Sequence, residues 1–553
     1  MSLSEDIIKF TGLVQNWAGN ISDMFYSDVA KDVTIKVIDA NGDVVEKQIP
    51  NHKKMSDAFD TWKSEIGIKN TNGEVTADDG SPLSVAKFGG MTLAEYDSMY
   101  NTFLNKTKIK LAPDNKNGGM VFYDKALFVT EDNKILAWGE DNEDILNYGG
   151  LNNSIMELQQ ANEKIGINIS KIWGCGQHIA VLYEDGDLYM RGQQEAGHFG
   201  IGNTANQMQF VFSKSNVKDY FSSSTGDQDE SPMSACILND GTVVTCGDNG
   251  DGELGIGNTT NTYTWTVVYD DTTDPTIKCV INGDNIASFH LLTASGKVFI
   301  SGYNGYGQLG NGTTGTVTTL TQIVPSVDGK IIDIVATGYY DATYSGTTSL
   351  LTDSGRVYCT GYNGQGQLGN GTTTNSSTFN EIVYPDGHDV TTDPVIEIIG
   401  GMRAFFYRTQ GLNLYSVGEN NRGQLGIGNT TNMTAFTNIL SNVTKVHHIQ
   451  SADASQYSSL VALTSDNKLY GWGDNAQGHL GTGNTVDPTS PKELRFGHTS
   501  KIKDICNSGY ADGITLYFVL TDGTIYGSGK NEDGQISPNR PGGYHAEFTQ
   551  VRI

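Results

Sequence analysis

Short apolar runs come in pairs along this chain, each pair split by a polar turn. Ser349-Leu-Leu-Thr-Asp-Ser-Gly-Arg-Val-Tyr-Cys-Thr360 is one pair and Leu460-Val-Ala-Leu-Thr-Ser-Asp-Asn-Lys-Leu-Tyr-Gly-Trp472 another. β-Branched and aromatic runs around an Asp/Ser/Asn/Gly turn predict antiparallel hairpins. A third run lies upstream, as in Ile331-Ile-Asp-Ile-Val335 and Lys501-Ile-Lys-Asp-Ile-Cys506, and a fourth downstream, as in Thr321-Gln-Ile-Val324. Four short strands with no room for a helix predict one blade of a β-propeller.

A glycine-studded phrase follows each pair. Close copies start at Gly247, Gly302, Gly361, Gly418 and Gly473, the second reading Gly302-Tyr-Asn-Gly-Tyr-Gly-Gln-Leu-Gly310. Weaker versions start at Gly139, Gly192 and Gly529, so successive first glycines are 53, 55, 55, 59, 57, 55 and 56 residues apart. A fixed period of this size predicts one supersecondary unit, repeated because no copy can bury its apolar face alone. The glycines and the asparagine serve backbone conformations with positive φ, and Leu254, Leu309, Leu368, Leu425 and Leu480 are expected in the core. Strand follows the phrase where a phosphate-cradling loop would need helix, so the glycines are scaffold.

These phrases resemble the regulator-of-chromosome-condensation repeat family over about residues 108 to 553. The family's Gly-x-x-His element is not kept cleanly, Cys175-Gly-Gln-His178 coming nearest. The resemblance implies a mainly β propeller, usually of seven blades, but eight repeats can be counted here. The expected fold is therefore eight repeats over 108–553, with seven blades plus a displaced hairpin as the alternative. The resemblance also implies guanine-nucleotide exchange or scaffolding in the cytoplasm. None of the family's exchange contacts transfers to this sequence.

Residues 1–107 do not repeat. Ser4, Glu5 and Asp6 suit a helix start, and Ile7, Phe10, Val14, Trp17, Ile21 and Met24 alternate steps of three and four, a short heptad seam that either lies on its own domain or serves docking and oligomerisation between chains. Val33–Asp39 and Asp43–Ile49 flank Asn41-Gly42, a strong hairpin signal. Met55, Phe59, Trp62 and Ile66 give an apolar helical face, residues 69–90 read as a connector, and Thr92-Leu-Ala-Glu95 is a capping box. This small α+β module is expected to precede the propeller. The stretch Val33 to Ile66 is similar to the virion-attachment ends of bacteriophage tail-fibre proteins.

The formal charge is −27 with a sequence pI near 4.6, which opposes binding to nucleic-acid phosphates. The six cysteines fall mostly in different repeats, predicting buried thiols rather than disulfides. The start of the chain lacks a basic n-region with a long apolar segment, so neither a signal peptide nor a membrane span is expected. Asp248-Asn-Gly-Asp-Gly-Glu253 fails as a calcium loop because Thr259 stands at position twelve. His447 and His448 point to opposite faces if they lie on a strand. No Gly-x-Ser-x-Gly, Walker or Cys-x-x-Cys phrase occurs. The sequence therefore predicts no enzyme, metal or cofactor, although a carboxylate pair assembled across blades would be invisible to it.

What remains is surface. Asn/Thr loops recur at Asn258–Asn261, Asn311–Thr314, Asn370–Asn375 and Asn429–Asn432, and Tyr303, Tyr306, Tyr362, Gln365 and Arg422 vary within the fixed phrase. Variable side chains on a constant frame predict a binding surface. The leading expectation is a virion-associated adhesin: the N-terminal module docks to other virion proteins, and the propeller binds a host-surface glycan or protein, with a homotrimer permitted. The alternatives are the exchange or scaffolding protein named above and a polysaccharide-degrading spike.

Overall fold

The chain divides into two compact units, Met1–Lys106 and Thr107–Ile553. In the computed structural model the described residues of the first unit are two strand pairs, Val33–Ile38 with Val44–Ile49 and Lys69–Thr71 with Glu74–Thr76. In the second unit every residue is described except 107–108, 112–124, 140–155, 176–177, 224–231, 283–286, 340–344, 402, 451–457, 496–499, 511–512, 533, 537–541 and 552–553. The hairpin around Asn41-Gly42 forms as its turn predicts, with Ile38 opposite Val44. Lys69–Thr71 and Glu74–Thr76, expected to lie in a connector, instead pair antiparallel, with Thr71 opposite Glu74. The predicted helices, with the heptad residues Ile7, Phe10, Val14, Trp17, Ile21 and Met24 and the Thr92 capping box, lie outside the described residues.

The second unit is an eight-bladed β-propeller: eight four-stranded antiparallel sheets follow one another in chain order. Blade 1 spans residues 109–158, blade 2 169–214, blade 3 217–269 and blade 4 276–323. Blade 5 spans 331–381, blade 6 395–440, blade 7 443–494 and blade 8 502–551. Each blade takes four consecutive strands, so no blade borrows a strand from the far end of the chain. The first strands are innermost, since those of neighbouring blades touch. The second and third are almost wholly buried, as in Met233–Leu238 and Val243–Gly247, while the fourth is half exposed, as in Thr262–Tyr269.

The core is divided among the seams. Each apolar cluster draws on two adjacent blades: Leu309 and Ile323 of blade 4, for example, pack with Ile334 and Leu350 of blade 5. The cluster joining Ala126, Phe128 and Trp138 of blade 1 to Tyr517, Val519 and Ile536 of blade 8 closes the ring. A repeat alone would expose half of each cluster, the physical reason for repetition.

The fourth strand of blade 4 ends at Ile323, so Val324, read from the sequence as part of that run, lies outside it and is 88% exposed. Because strands alternate direction, one face of the disc carries the glycine phrases and the loops between first and second strands. The other carries the hairpin turns and the connectors between blades. These are called here the clasp face and the turn face.

Candidate functional site

The glycine phrase turns the third strand out toward the neighbouring blade. At Gly302 φ is 97°, and a Cβ there would lie 2.2 Å from the Ala287 carbonyl oxygen. At Gly310 φ is 67°, and a Cβ would meet the Phe379 ring of blade 5 at 2.1 Å. No other residue fits either place. Two residues on, the Gly312 N–H donates to the Ser377 carbonyl of blade 5 at 2.8 Å, and Gly202, Gly257, Gly371, Gly428 and Gly483 make the equivalent bond to the next blade. The phrase is an inter-blade clasp.

The phrase asparagine closes the loop on itself. Asn304, fully buried, donates through Nδ2 to the carbonyls of Thr313 and Gly315, and its Oδ1 accepts from Leu309 N–H at 2.9 Å. Asn249, Asn363, Asn420 and Asn475 repeat the pattern. The Asn/Thr loops therefore spend backbone carbonyls on a buried amide. The five phrase leucines are buried as expected, none more than 1% exposed.

The variable slots form an arc over blades 4 to 6 on the clasp face. Tyr303 and Tyr362, second in their phrases, are half-buried, each ring lying close over the glycine two residues on. Tyr306 meets Tyr362 edge-on across the blade seam, ring centroids 5.3 Å apart. Gln365 accepts from Asn432 Nδ2 of blade 6 at 2.7 Å. Arg422 reaches Asp487 of blade 7 at 3.8 Å with its side chain 43% exposed. Burial pushes the nearby Asp474 carboxyl up to about 6; Asp487 adds to the shift and Arg422 opposes it. Each of Tyr306, Gln365 and Arg422 thus bridges to the following blade while presenting its edge to solvent.

Several other buried polar side chains bond within the propeller. Glu253 occupies the slot held by Gln308, Gln367 and Gln424, and like them it accepts the N–H two residues back. Burial pushes its carboxyl up to about 8. His198 and His479 fill the same slot elsewhere: His198 Nε2 meets His178 Nδ1 at 3.2 Å, and His479 Nε2 meets Ser459 Oγ at 2.8 Å. His447 and His448 have different partners, Asn507 of blade 8 and Ser458 of their own blade. Among the described residues no group of His, Cys, Asp and Glu has a metal-binding arrangement. Cys236, Cys246, Cys279, Cys359 and Cys506 are buried free thiols, and burial raises each above the usual thiol range. No described helix is long and apolar enough to cross a membrane.

The sequence reading missed the inner strands of the turn face. Every first strand shifts register just after its start, and in blades 3 to 8 the residue at the shift is exposed. In blades 4, 5 and 6 that residue is Ile277, Ile332 or Ile396, each 45% exposed. Blades 2, 3, 7 and 8 carry Ser170, Lys218, Thr444 and Lys503 there. The signal was an isoleucine in a slot otherwise polar.

A ring of four-stranded blades held by glycine clasps is one defined class of β-propeller. Residues 466–510 match the family model described as the regulator of chromosome condensation (RCC1) repeat, and the propeller is RCC1-like. Over 266 residues the chain is 28% identical to the ultraviolet-B receptor UVR8 of Arabidopsis thaliana, covering 47% of this chain and 54% of the receptor. It is 31% identical over 151 residues to the human X-linked retinitis pigmentosa GTPase regulator, covering 27% of this chain and 14% of the relative. Thus the chain spans about half, or much less, of the curated relatives it matches. The Prp20p structure from Saccharomyces cerevisiae is similar at a TM-score of 0.46 and 15% identity, covering 66% of this chain and 86% of that one. Virion attachment and adhesion find no support among these relatives.

Proposed function

We propose that the propeller is a non-catalytic protein-binding platform of the RCC1-like regulatory kind, using the clasp-face arc Tyr303, Tyr306, Tyr362, Gln365 and Arg422 against a protein partner. One observation carries this reading: the constant residues of the phrase are consumed by the scaffold, while the varying ones line up half-exposed on three neighbouring blades. Tyrosines and an arginine are the side chains that anchor protein interfaces. One relative is named as a GTPase regulator, which makes a small GTPase the first partner to test.

The test is a nucleotide-release and binding assay with a panel of small GTPases, using the full chain and a Tyr306→Ala/Arg422→Ala variant. Accelerated release by the full chain marks an exchange factor, and binding without release marks a scaffold; both require the variant to bind at least tenfold more weakly. Equal binding by both proteins sinks the assignment of the arc.

A further inference from the structure

Blades 4 to 6 also differ from the rest of the ring on the turn face. Ile277, Ile332 and Ile396 stand at one register on three adjacent inner strands, where the Lys278–Asp333 ion pair, 2.7 Å, links the residues that follow the first two. A residue before each of these sites is buried, Thr276, Ile331 and Val395, so the bulge itself turns the isoleucine outward. Toward the outer edge of the same sector, Val324 and Val383 follow the fourth strands of blades 4 and 5, 88% and 49% exposed. Large apolar side chains exposed together on one sector mark an interaction surface.

The surroundings of this patch are acidic. Asp270 and Asp271 lead into blade 4, and Asp386 and Asp389 lie in the connector into blade 6, all exposed. Lys297 is tied to Asp274 at 3.0 Å and Arg356 to Asp328 at 3.3 Å, so these cations are neutralised locally. Lys330 is the remaining exposed cation of the sector among the described residues. Apolar side chains bordered by excess carboxylate select a segment with one apolar side and basic flanks. A second copy of this chain, at −27, brings like charge and fits badly.

From this complementarity we infer that the turn face of blades 4 to 6 docks a basic amphipathic segment of a partner protein, its apolar side on Ile277, Ile332 and Ile396. The inference rests on the protein-binding reading above and adds a second surface, on the opposite face, with its own ligand chemistry.

The test is fluorescence anisotropy with two labelled 18-residue Leu/Lys peptides of identical composition, one amphipathic as a helix and one scrambled, titrated with the full chain. The amphipathic peptide should bind at least tenfold more tightly than the scramble. An Ile277→Thr/Ile332→Thr/Ile396→Thr variant, taking the residue blade 7 already uses, should lose about tenfold for the amphipathic peptide and nothing for the scramble, with an unchanged circular dichroism spectrum. Equal binding of the two peptides, or no effect of the variant, overturns the inference. Loss of peptide binding on the Tyr306→Ala/Arg422→Ala variant instead would leave the protein-binding reading standing and remove this one.

Discussion

Trp138 of blade 1 donates its indole N–H to the Gln535 carbonyl of blade 8 at 2.6 Å, across 397 residues of chain. The same bond joins other seams. The residue before the phrase glycine donates to the preceding blade's phrase in Trp472 to Gln424, Ser301 to Glu253 and Cys246 to His198. The ring therefore closes by the device that builds it, with no strand exchanged between its ends.

Closure should depend on this one side chain. Trp138→Phe removes the indole donor and should cost about 1 kcal/mol, while Trp138→Ala also empties the blade 1–8 cluster and should cost about 3–5 kcal/mol. Urea denaturation followed by amide hydrogen exchange should show protection lost first at the blade 1–8 seam. Uniform loss around the ring would contradict this.

The buried asparagines should matter more than the loops they close. Asn363→Ala leaves the carbonyls of Thr372 and Thr374 and the N–H of Leu368 without their partner, at about 2–4 kcal/mol. Thr373→Ala, exposed in the same loop, should stay within about 0.5 kcal/mol. Comparable denaturation midpoints for the two variants would refute the amide as the loop's anchor.

Glu253 should make the fold weaker in mild alkali. Its folded pKa lies above the unfolded value, so its contribution is complete below about 4.5 and is lost as pH rises through about 8. Glu253→Gln, installing the residue found at Gln308, Gln367 and Gln424, should raise the melting temperature at pH 8.5 and change it little at pH 5. An equal shift at both pH values would show that the carboxyl does not titrate in this range.

Acid should attack through the histidines. Burial lowers His178, His448 and His479 to about 3 and His290 to about 4, so all are neutral in the fold. The unfolded chain takes up protons below about 6.5, and stability present above that pH is lost as pH falls toward these values. His479→Gln should flatten the slope of stability between pH 6.5 and 4. A slope unchanged by the substitution would place acid sensitivity elsewhere.

The fold was legible because the repeat announces itself: Leu254, Leu309 and Leu368 recur at one phase, and their burial follows from it. Blade count followed from counting the weaker phrases at Gly139, Gly192 and Gly529, each of which ends or nearly ends a third strand. The candidate site was half legible. The variable slots were visible, but their bridging to the next blade was not, since Gln365 and Asn432 are 67 residues apart. Likewise Asn249 captures carbonyls nine and eleven residues on, which makes an apparently adhesive loop a closed turn. The outward isoleucines escaped because a bulge breaks the period-two pattern by which strand faces are read.

The central claim is that the rims of the propeller, rather than a buried reactive centre, meet a protein partner. Cross-linking mass spectrometry of the full chain with a captured partner tests it most directly. The account predicts cross-links concentrated on blades 4 to 6. Cross-links confined to residues 1–106, with the propeller untouched, would contradict it.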